Sequence, residues 1–307
     1  MVFKSALLIV LLASAPPLQA PPDPGATDPV PDPAAAALDF ATEQDRMTLP
    51  VKIADSGPYA FIVDTGSQRT VISRQLAQLL KLSPGRDVRM TAMTGASTVA
   101  TAIIPLITVG TLGGARIEAP ALEAEHLGAD GLLGLDTLQG RALTIDFDRR
   151  RMTVAAARPR GRRPAPAADE IVVTAKSVLG QLVVTDALYA GTRVRVILDT
   201  GSAITMGNLA LKKRVSRPAM TPISVMSVTG AWLSADATQI RQIKVGGVTF
   251  QNLPIAFADA APFERFGLQK RPALMLGMDA LRLFRRVDID FANREVRFAL
   301  PRNAHRL

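Results

Sequence analysis

Two carboxylates of this chain sit in the same eight-residue setting. Ala60-Phe61-Ile62-Val63 runs into Asp64-Thr65-Gly66-Ser67, and Arg195-Val196-Ile197-Leu198 runs into Asp199-Thr200-Gly201-Ser202. In each copy an apolar, strand-like approach ends in an acid followed by Thr, Gly and Ser, residue types that suit a tight turn at a strand end. One such turn is ordinary loop chemistry. Two of them, with Thr and Ser kept in both, point to a pair of carboxylates brought face to face. Like charges held together cannot both ionise cheaply, so such a pair shares a proton; one member activates a water and the other protonates the leaving group. The pair titrates as a unit, so Asp64 and Asp199 take no fixed roles at this stage.

The segments that must position these acids are duplicated too. Leu132-Leu133-Gly134-Leu135-Asp136-Thr137-Leu138 is echoed by Met275-Leu276-Gly277-Met278-Asp279-Ala280-Leu281. Ile145-Asp146-Phe147-Asp148 is echoed by Ile289-Asp290-Phe291-Ala292. The copies lie 135 residues apart at the acids and 143 to 144 apart downstream. That is duplication at domain scale, with a few residues inserted, and not a solenoid period. Thr70 and Thr205 each follow their acid by six residues, while Asp136 and Asp279 follow Gly134 and Gly277 by two. A buried Asp–Thr hydrogen bond inside each half explains both pairs, because a buried acid needs a partner. The rival reading is a second catalytic or metal-binding pair.

Paired Asp-Thr-Gly-Ser turns, each followed by an apolar-apolar-Gly segment, resemble aspartic proteases of the pepsin and retropepsin type. The resemblance runs from about residue 45 to the C-terminus, and each half is closer in size to a retropepsin subunit than to a pepsin lobe. It implies an all-β fold of two closed β-barrel lobes related by a pseudo-twofold axis, with short helices. It also implies an aspartic endopeptidase whose water is activated between Asp64 and Asp199. On the same grounds Thr65 and Thr200 would hydrogen-bond across the axis, and Gly66 and Gly201 would bring backbone amides near the carboxylates. Ser67 and Ser202 would hydrogen-bond the outer carboxylate oxygens, with Leu133-Gly134 and Leu276-Gly277 packed behind the catalytic loops. Two hairpins would close as flaps over an extended peptide, one with Thr94, Gly95 and Ala96 at its tip. The other would carry Thr229, Gly230, Ala231 and Trp232. Pepsins have a flap tyrosine with no equivalent here, which separates this chain from pepsin-like specificity. The alternative reading is a non-catalytic peptide-binding or envelope scaffold module retaining the fold.

Composition narrows the other classes. Of 307 residues 48% are hydrophobic and none is cysteine, which excludes disulfides, a thiolate nucleophile and cysteine zinc sites. His126 and His305 are too few for a histidine metal cluster or a serine-type triad, and both read as bystanders. No Gly-x-Ser-x-Gly elbow, His-Glu-x-x-His site or phosphate loop is present. The net charge of +9 concentrates in Arg149 to Arg151, Arg158 to Arg163 and Arg282 to Arg286. Aromatics are only 5% and no nucleic-acid module is visible, so these charges read as a solvated basic linker and face. No cofactor or metal is expected. The expected partner is a peptide or protein substrate, without nucleic acid, and one chain supplies both acids as a monomeric pseudo-dimer.

The order along the chain follows. Residues 1–20, with Lys4 ahead of the apolar run Ala6 to Ala13, read as a signal peptide or N-terminal anchor. The chain is therefore expected to be exported, as a periplasmic or secreted protein, or held at the inner membrane if that segment stays uncleaved. Residues 21–37 read as a Pro/Ala-rich tether, 38–157 as the first lobe, 158–168 as a basic Pro/Arg linker and 169–307 as the second lobe. Ser73 to Leu82 reads as a short helix with Ser73 as cap and Leu76, Leu79 and Leu80 on its inner side. Glu170 to Ala175 reads as a lead-in strand, although it also resembles the docking box of TonB-dependent receptors.

Overall fold

The computed structural model describes residues 36–39, 41–43, 46–110, 112–138, 140–159, 164–215 and 219–302. Residues 1–20, read as a signal peptide or anchor, most of the tether and linker residues 160–163 lie outside the described residues.

Alternating and continuous apolar runs build two rings of six strands in the same order. In the first lobe Arg46–Ile53 pairs with Ser56–Val63, which pairs with Gly131–Leu133, then Val71–Ser73, Leu112–Leu122 and Thr101–Val109. Thr101–Val109 returns to Arg46–Ile53 and closes the ring. The second lobe repeats it with Gln181–Tyr189, Thr192–Leu198, Ala273–Leu276, Met206–Gly207, Val248–Phe257 and Trp232–Val245. Trp232–Val245 closes on Gln181–Tyr189.

The strands that deliver the acids are the most buried. Phe61, Ile62 and Val63 are fully covered, as are Val196, Ile197 and Leu198. Strands buried on both faces read as unbroken apolar runs, and that is why these two stood out in the sequence. Parallel pairing sets Val63 beside Leu133 and Leu198 beside Leu276. The next amides continue that ladder: Asp64 N donates to Leu133 O at 2.9 Å, and Asp199 N to Leu276 O at 3.1 Å.

The glycines after those apolar pairs permit close backbone crossing. A Cβ on Gly134 would lie 2.3 Å from the Arg69 carbonyl carbon, and one on Gly277 would lie 2.5 Å from that of Ile204. Both neighbours are main chain and cannot rotate aside. Gly134→Ala and Gly277→Ala are each expected to cost about 1–3 kcal/mol by overpacking. Urea midpoints should show it, and an unchanged midpoint would contradict the crossing.

The lobes join through a six-stranded antiparallel base. Its order is Ala36–Asp39, Arg151–Ala156, Arg141–Asp146, Arg286–Asp290, Glu295–Ala299 and Glu170–Val178. At its centre Thr144 opposes Asp288, and Thr144 Oγ1 donates to Asp288 Oδ1 at 2.5 Å. Leu143, Ile145, Val287, Ile289, Val296 and Phe298 turn one face of this sheet into the core shared with the barrels. Glu170–Val178 is paired on both sides, by Glu295–Ala299 and by Gln181–Tyr189, so the segment is used as a strand. Ala36 and Ala37, assigned to the tether from composition, pair with Val154 and Thr153 and enter the base.

The first-lobe helix spans Arg74–Leu79, with Ser73 Oγ accepting from Leu76 N at 3.1 Å as the cap. It stops before the expected Leu82. Leu76 and Ala77 face inward and Leu80 packs against the same core, while Leu79 is 72% exposed and leaves the expected inner side.

Candidate active site

The two Asp-Thr-Gly turns meet at the lobe interface and are tied by reciprocal bonds. Thr65 N donates to Thr200 Oγ1 and Thr200 N to Thr65 Oγ1, both at 3.1 Å. Each hydroxyl then donates past its partner turn, Thr65 Oγ1 to Leu198 O at 3.0 Å and Thr200 Oγ1 to Val63 O at 2.6 Å. Both threonines are buried, so each polar group is satisfied where water cannot reach it. The cross-link ties the two turns at the same point of their strands and so sets the spacing of the acids.

The glycines complete the cradle. Gly66 N donates to Asp64 Oδ1 at 2.8 Å and Gly201 N to Asp199 Oδ1 at 3.1 Å. Each glycine also lies against the carboxylate of the other lobe. A Cβ on Gly201 would come 2.3 Å from Asp64 Cγ, and one on Gly66 would come 2.5 Å from Asp199 Oδ1.

The carboxyl groups face each other, each against the glycine of the other turn, and both are harder to ionise than an ordinary aspartate. For Asp199 burial, then the negative charge of Asp64, pushes the pKa up to about 8. On Asp64 burial also dominates and raises the pKa. The Gly66 amide, the Arg46 guanidinium, the Ser67 amide and the neighbouring Asp199 carboxyl oppose it. Both shifts run the same way, so the pair holds one proton in common over a range in which a free aspartate is ionised.

The serines do not do what the resemblance implies. Ser67 Oγ donates to Arg69 O and Ser202 Oγ to Ile204 O, both at 2.8 Å. Each hydroxyl braces its own turn two residues on, and the backbone amides take over the carboxylate-binding role.

The second acidic pair lies behind the turns. Thr70 Oγ1 donates to Asp136 Oδ1 and Thr205 Oγ1 to Asp279 Oδ1, both at 2.7 Å. Each threonine amide also donates to its acid, and each hydroxyl accepts from the Gly134 or Gly277 amide at 3.1 Å. These hydrogen bonds tie each acid to the strand crossing behind its turn, as the structural reading of the pair expects. Burial raises the Asp279 pKa above the usual carboxylate value.

Two hairpins cover the dyad from opposite lobes. Val88–Ala92 and Gly95–Val99 form the first, and its Met93 O accepts from Ala261 N of the second lobe at 3.0 Å. Met93 packs there against the cluster containing Phe263. The second joins Thr221–Met226 to Trp232–Val245; its Val228 packs on the first-lobe cluster with Leu122 and Leu127, and Gly230 lies against the His126 ring. Together they close a cavity of about 600 Å³ over Asp64 and Asp199. Val71, Val88, Met90 and Leu132 line one side, and Ile197, Ile223, Val225 and Met275 the other.

The cavity touches Met90 to Met93 and Ile223 to Val228, and not Thr94, Gly95, Ala96, Thr229, Gly230, Ala231 or Trp232. Turn chemistry locates a hairpin tip, whereas the strand before it presents the inward face. Trp232, opposite Met226, is 65% exposed and walls no pocket. Arg46, Gln181 and His126 also line the cavity, and the sequence reading missed them as site residues. Arg46 and Gln181 start the strands that flank the acids, a position readable only once the barrel register is known. His126, read as a loop bystander, lies on the helix Ala124–Leu127 beneath the second hairpin.

Two six-stranded barrels joined by a common base, with an aspartate turn from each meeting on a pseudo-twofold, define a retropepsin-like aspartic-protease fold. The Aspartyl protease family matches residues 49–137 and 185–280, which carry these turns and the Gly134 and Gly277 segments. The chain belongs to that family. No curated protein matches the chain.

Proposed function

We propose that the chain is an aspartic endopeptidase. The observation that carries this reading is the facing Asp64–Asp199 pair, set at the floor of a cavity of peptide-binding size and locked by Thr65 and Thr200. An extended peptide enters beneath the hairpins and pairs with them through its backbone. The ionised member of the pair takes a proton from the attacking water as its oxygen adds to the peptide carbonyl. The protonated member gives its proton to the carbonyl oxygen, forming a neutral tetrahedral diol. Collapse of that diol breaks the C–N bond; the leaving nitrogen gains a proton from the dyad, and the second diol proton returns to it. The dyad thus ends singly protonated, as it began. The enzyme acts as a monomer outside the cytoplasm, with residues 1–20 as its export signal or anchor.

The mechanism needs one proton on the pair. A second proton on the pair stops catalysis at low pH, and loss of the shared proton stops it as pH rises through the raised value, about 8 at Asp199. Initial rates on a diverse peptide pool should therefore give a bell-shaped profile with activity in the acid to near-neutral range. A rate that rises steadily into alkaline solution would contradict the shared-proton mechanism. Peptides bound but left intact at every pH would favour a binding module instead.

A further inference from the structure

The two halves of the cleft match in shape and differ in charge. Arg46 and Gln181 are 135 residues apart, the spacing of Asp64 and Asp199, and each opens the strand beside its acid. Register confirms that they correspond: Thr48 pairs with Ile62 and Val183 with Ile197. Two further pairs at the same spacing line the cavity, Arg69 with Ile204 and Arg89 with Ser224. At these three positions the first-lobe half thus presents guanidinium groups where the second-lobe half presents an amide, an alkyl group and a hydroxyl; the second lobe's own lining guanidinium, Arg265, is hydrogen-bonded to Gln68 Oε1. Among the described residues Asp64 and Asp199 are the only carboxylates lining the cavity, and the mechanism already uses them.

Arg46 is the member nearest the chemistry. It is half-buried, its Nη2 donates to Leu127 O at 2.6 Å, and its charge is felt at Asp64. Gln181 is buried and its Nε2 donates to Gly66 O of the opposite lobe, so the second half is closed by a neutral group. A guanidinium stays charged at any pH the enzyme meets and offers planar donors that fit a carboxylate. A peptide has direction, and a cleft with near-twofold shape would admit it either way round. The charge of Arg46, matched by the neutral Gln181 across the pseudo-twofold, removes that ambiguity, because reversing the peptide sets its acid against an amide.

We infer that the first-lobe half of the cleft selects an acidic side chain, with Arg46 as the specificity-determining residue, so that acidic peptide segments enter in one orientation. This rests on the endopeptidase reading above. The test is a set of peptides in which each position flanking the cleaved bond is Glu or Gln in turn. They are assayed for kcat/KM against the full chain, Arg46→Gln and Arg46→Lys. Arg46→Gln installs the residue found at the matching position, and thermal melts verify its folding.

At one position the wild type should prefer Glu to Gln by about tenfold or more, as a charge-assisted hydrogen bond would give. Arg46→Gln should bring that ratio near one, mainly through KM, and Arg46→Lys should restore part of it. Arg46 also influences Asp64, but that effect is common to both peptides and cancels in the ratio. Equal turnover of Glu and Gln peptides at every position would overturn the inference while leaving the endopeptidase reading intact. So would a preference that survives Arg46→Gln. If no peptide is cleaved, that reading falls, and binding of the same pairs decides the inference: tighter Glu binding lost in Arg46→Gln upholds it, and equal or absent binding overturns it.

Discussion

Asp64→Asn and Asp199→Asn are each expected to reduce peptide cleavage by a factor on the order of 10³ or more while leaving the fold intact. A positioned acid or base contributes about 10²–10⁴-fold, and here one pair supplies both functions in each step. Asparagine keeps the shape and can still accept the Gly66 or Gly201 amide bond, yet it holds no proton that can be passed to substrate. Because the proton is shared, either substitution alone should cost about as much as the double one, the non-additivity expected of residues acting as a unit. Stability should move the other way. Both acids have raised pKa values in the folded chain, so between about 4 and about 8 the folded state binds more protons than the unfolded one. The dyad's favourable contribution is therefore full below the ordinary carboxylate pKa and is lost as pH rises through the raised value. Relative to Asp199→Asn, the wild type should lose thermal stability over that interval. A turn aspartate with no catalytic role has no reason to carry such a burden, so activity lost together with stability gained at neutral pH would mark the pair as functional. Retained cleavage in either variant would remove the shared dyad from the mechanism.

Much of this was readable before any coordinates, for physical reasons tied to particular residues. Phe61 to Val63 and Val196 to Leu198 are buried on both faces, and that requirement writes itself into sequence as an unbroken apolar run ending in an acid. The link of Thr70 to Asp136, and of Thr205 to Asp279, was legible because a buried acid must find a donor and the duplication supplied the same spacing twice. What escaped depended on which way a side chain points. Ser67 and Ser202 have carbonyls two residues on as local acceptors, and those win over the carboxylates. The hairpin tips advertised themselves through glycine, while Met90 and Val225, which face the cavity, look like ordinary strand residues. Arg46 and Gln181 are unlike in type, so no repeat of residues announced that they hold equivalent places. Only the barrel register equates them.

Gly66→Ala and Gly201→Ala should be almost as damaging as the loss of a carboxylate, although neither glycine reacts. The added methyl would stand 2.5 Å from Asp199 Oδ1 in one case and 2.3 Å from Asp64 Cγ in the other, closer than carbon atoms in proteins approach. Something must shift. The Thr65–Thr200 cross-link holds both turns, and the central strands beneath them are fully buried, so the backbone has little room to yield. The carboxylate is the part that can move, and a displacement of about 1 Å at a reacting group costs on the order of 10²-fold in rate. We expect kcat to fall by about that factor or more, with a stability loss of about 1–3 kcal/mol from overpacking. Gly191→Ala separates the two effects: Gly191 has φ of 77° and open space around its Cβ position. Its alanine variant should lose about 1–2 kcal/mol from the left-handed backbone and retain its kcat. Comparable destabilisation with very different rates would show that each glycine is required for the closeness of the other lobe's acid. If Gly201→Ala stays fully active, the two carboxylates are not held as tightly as the dyad mechanism demands.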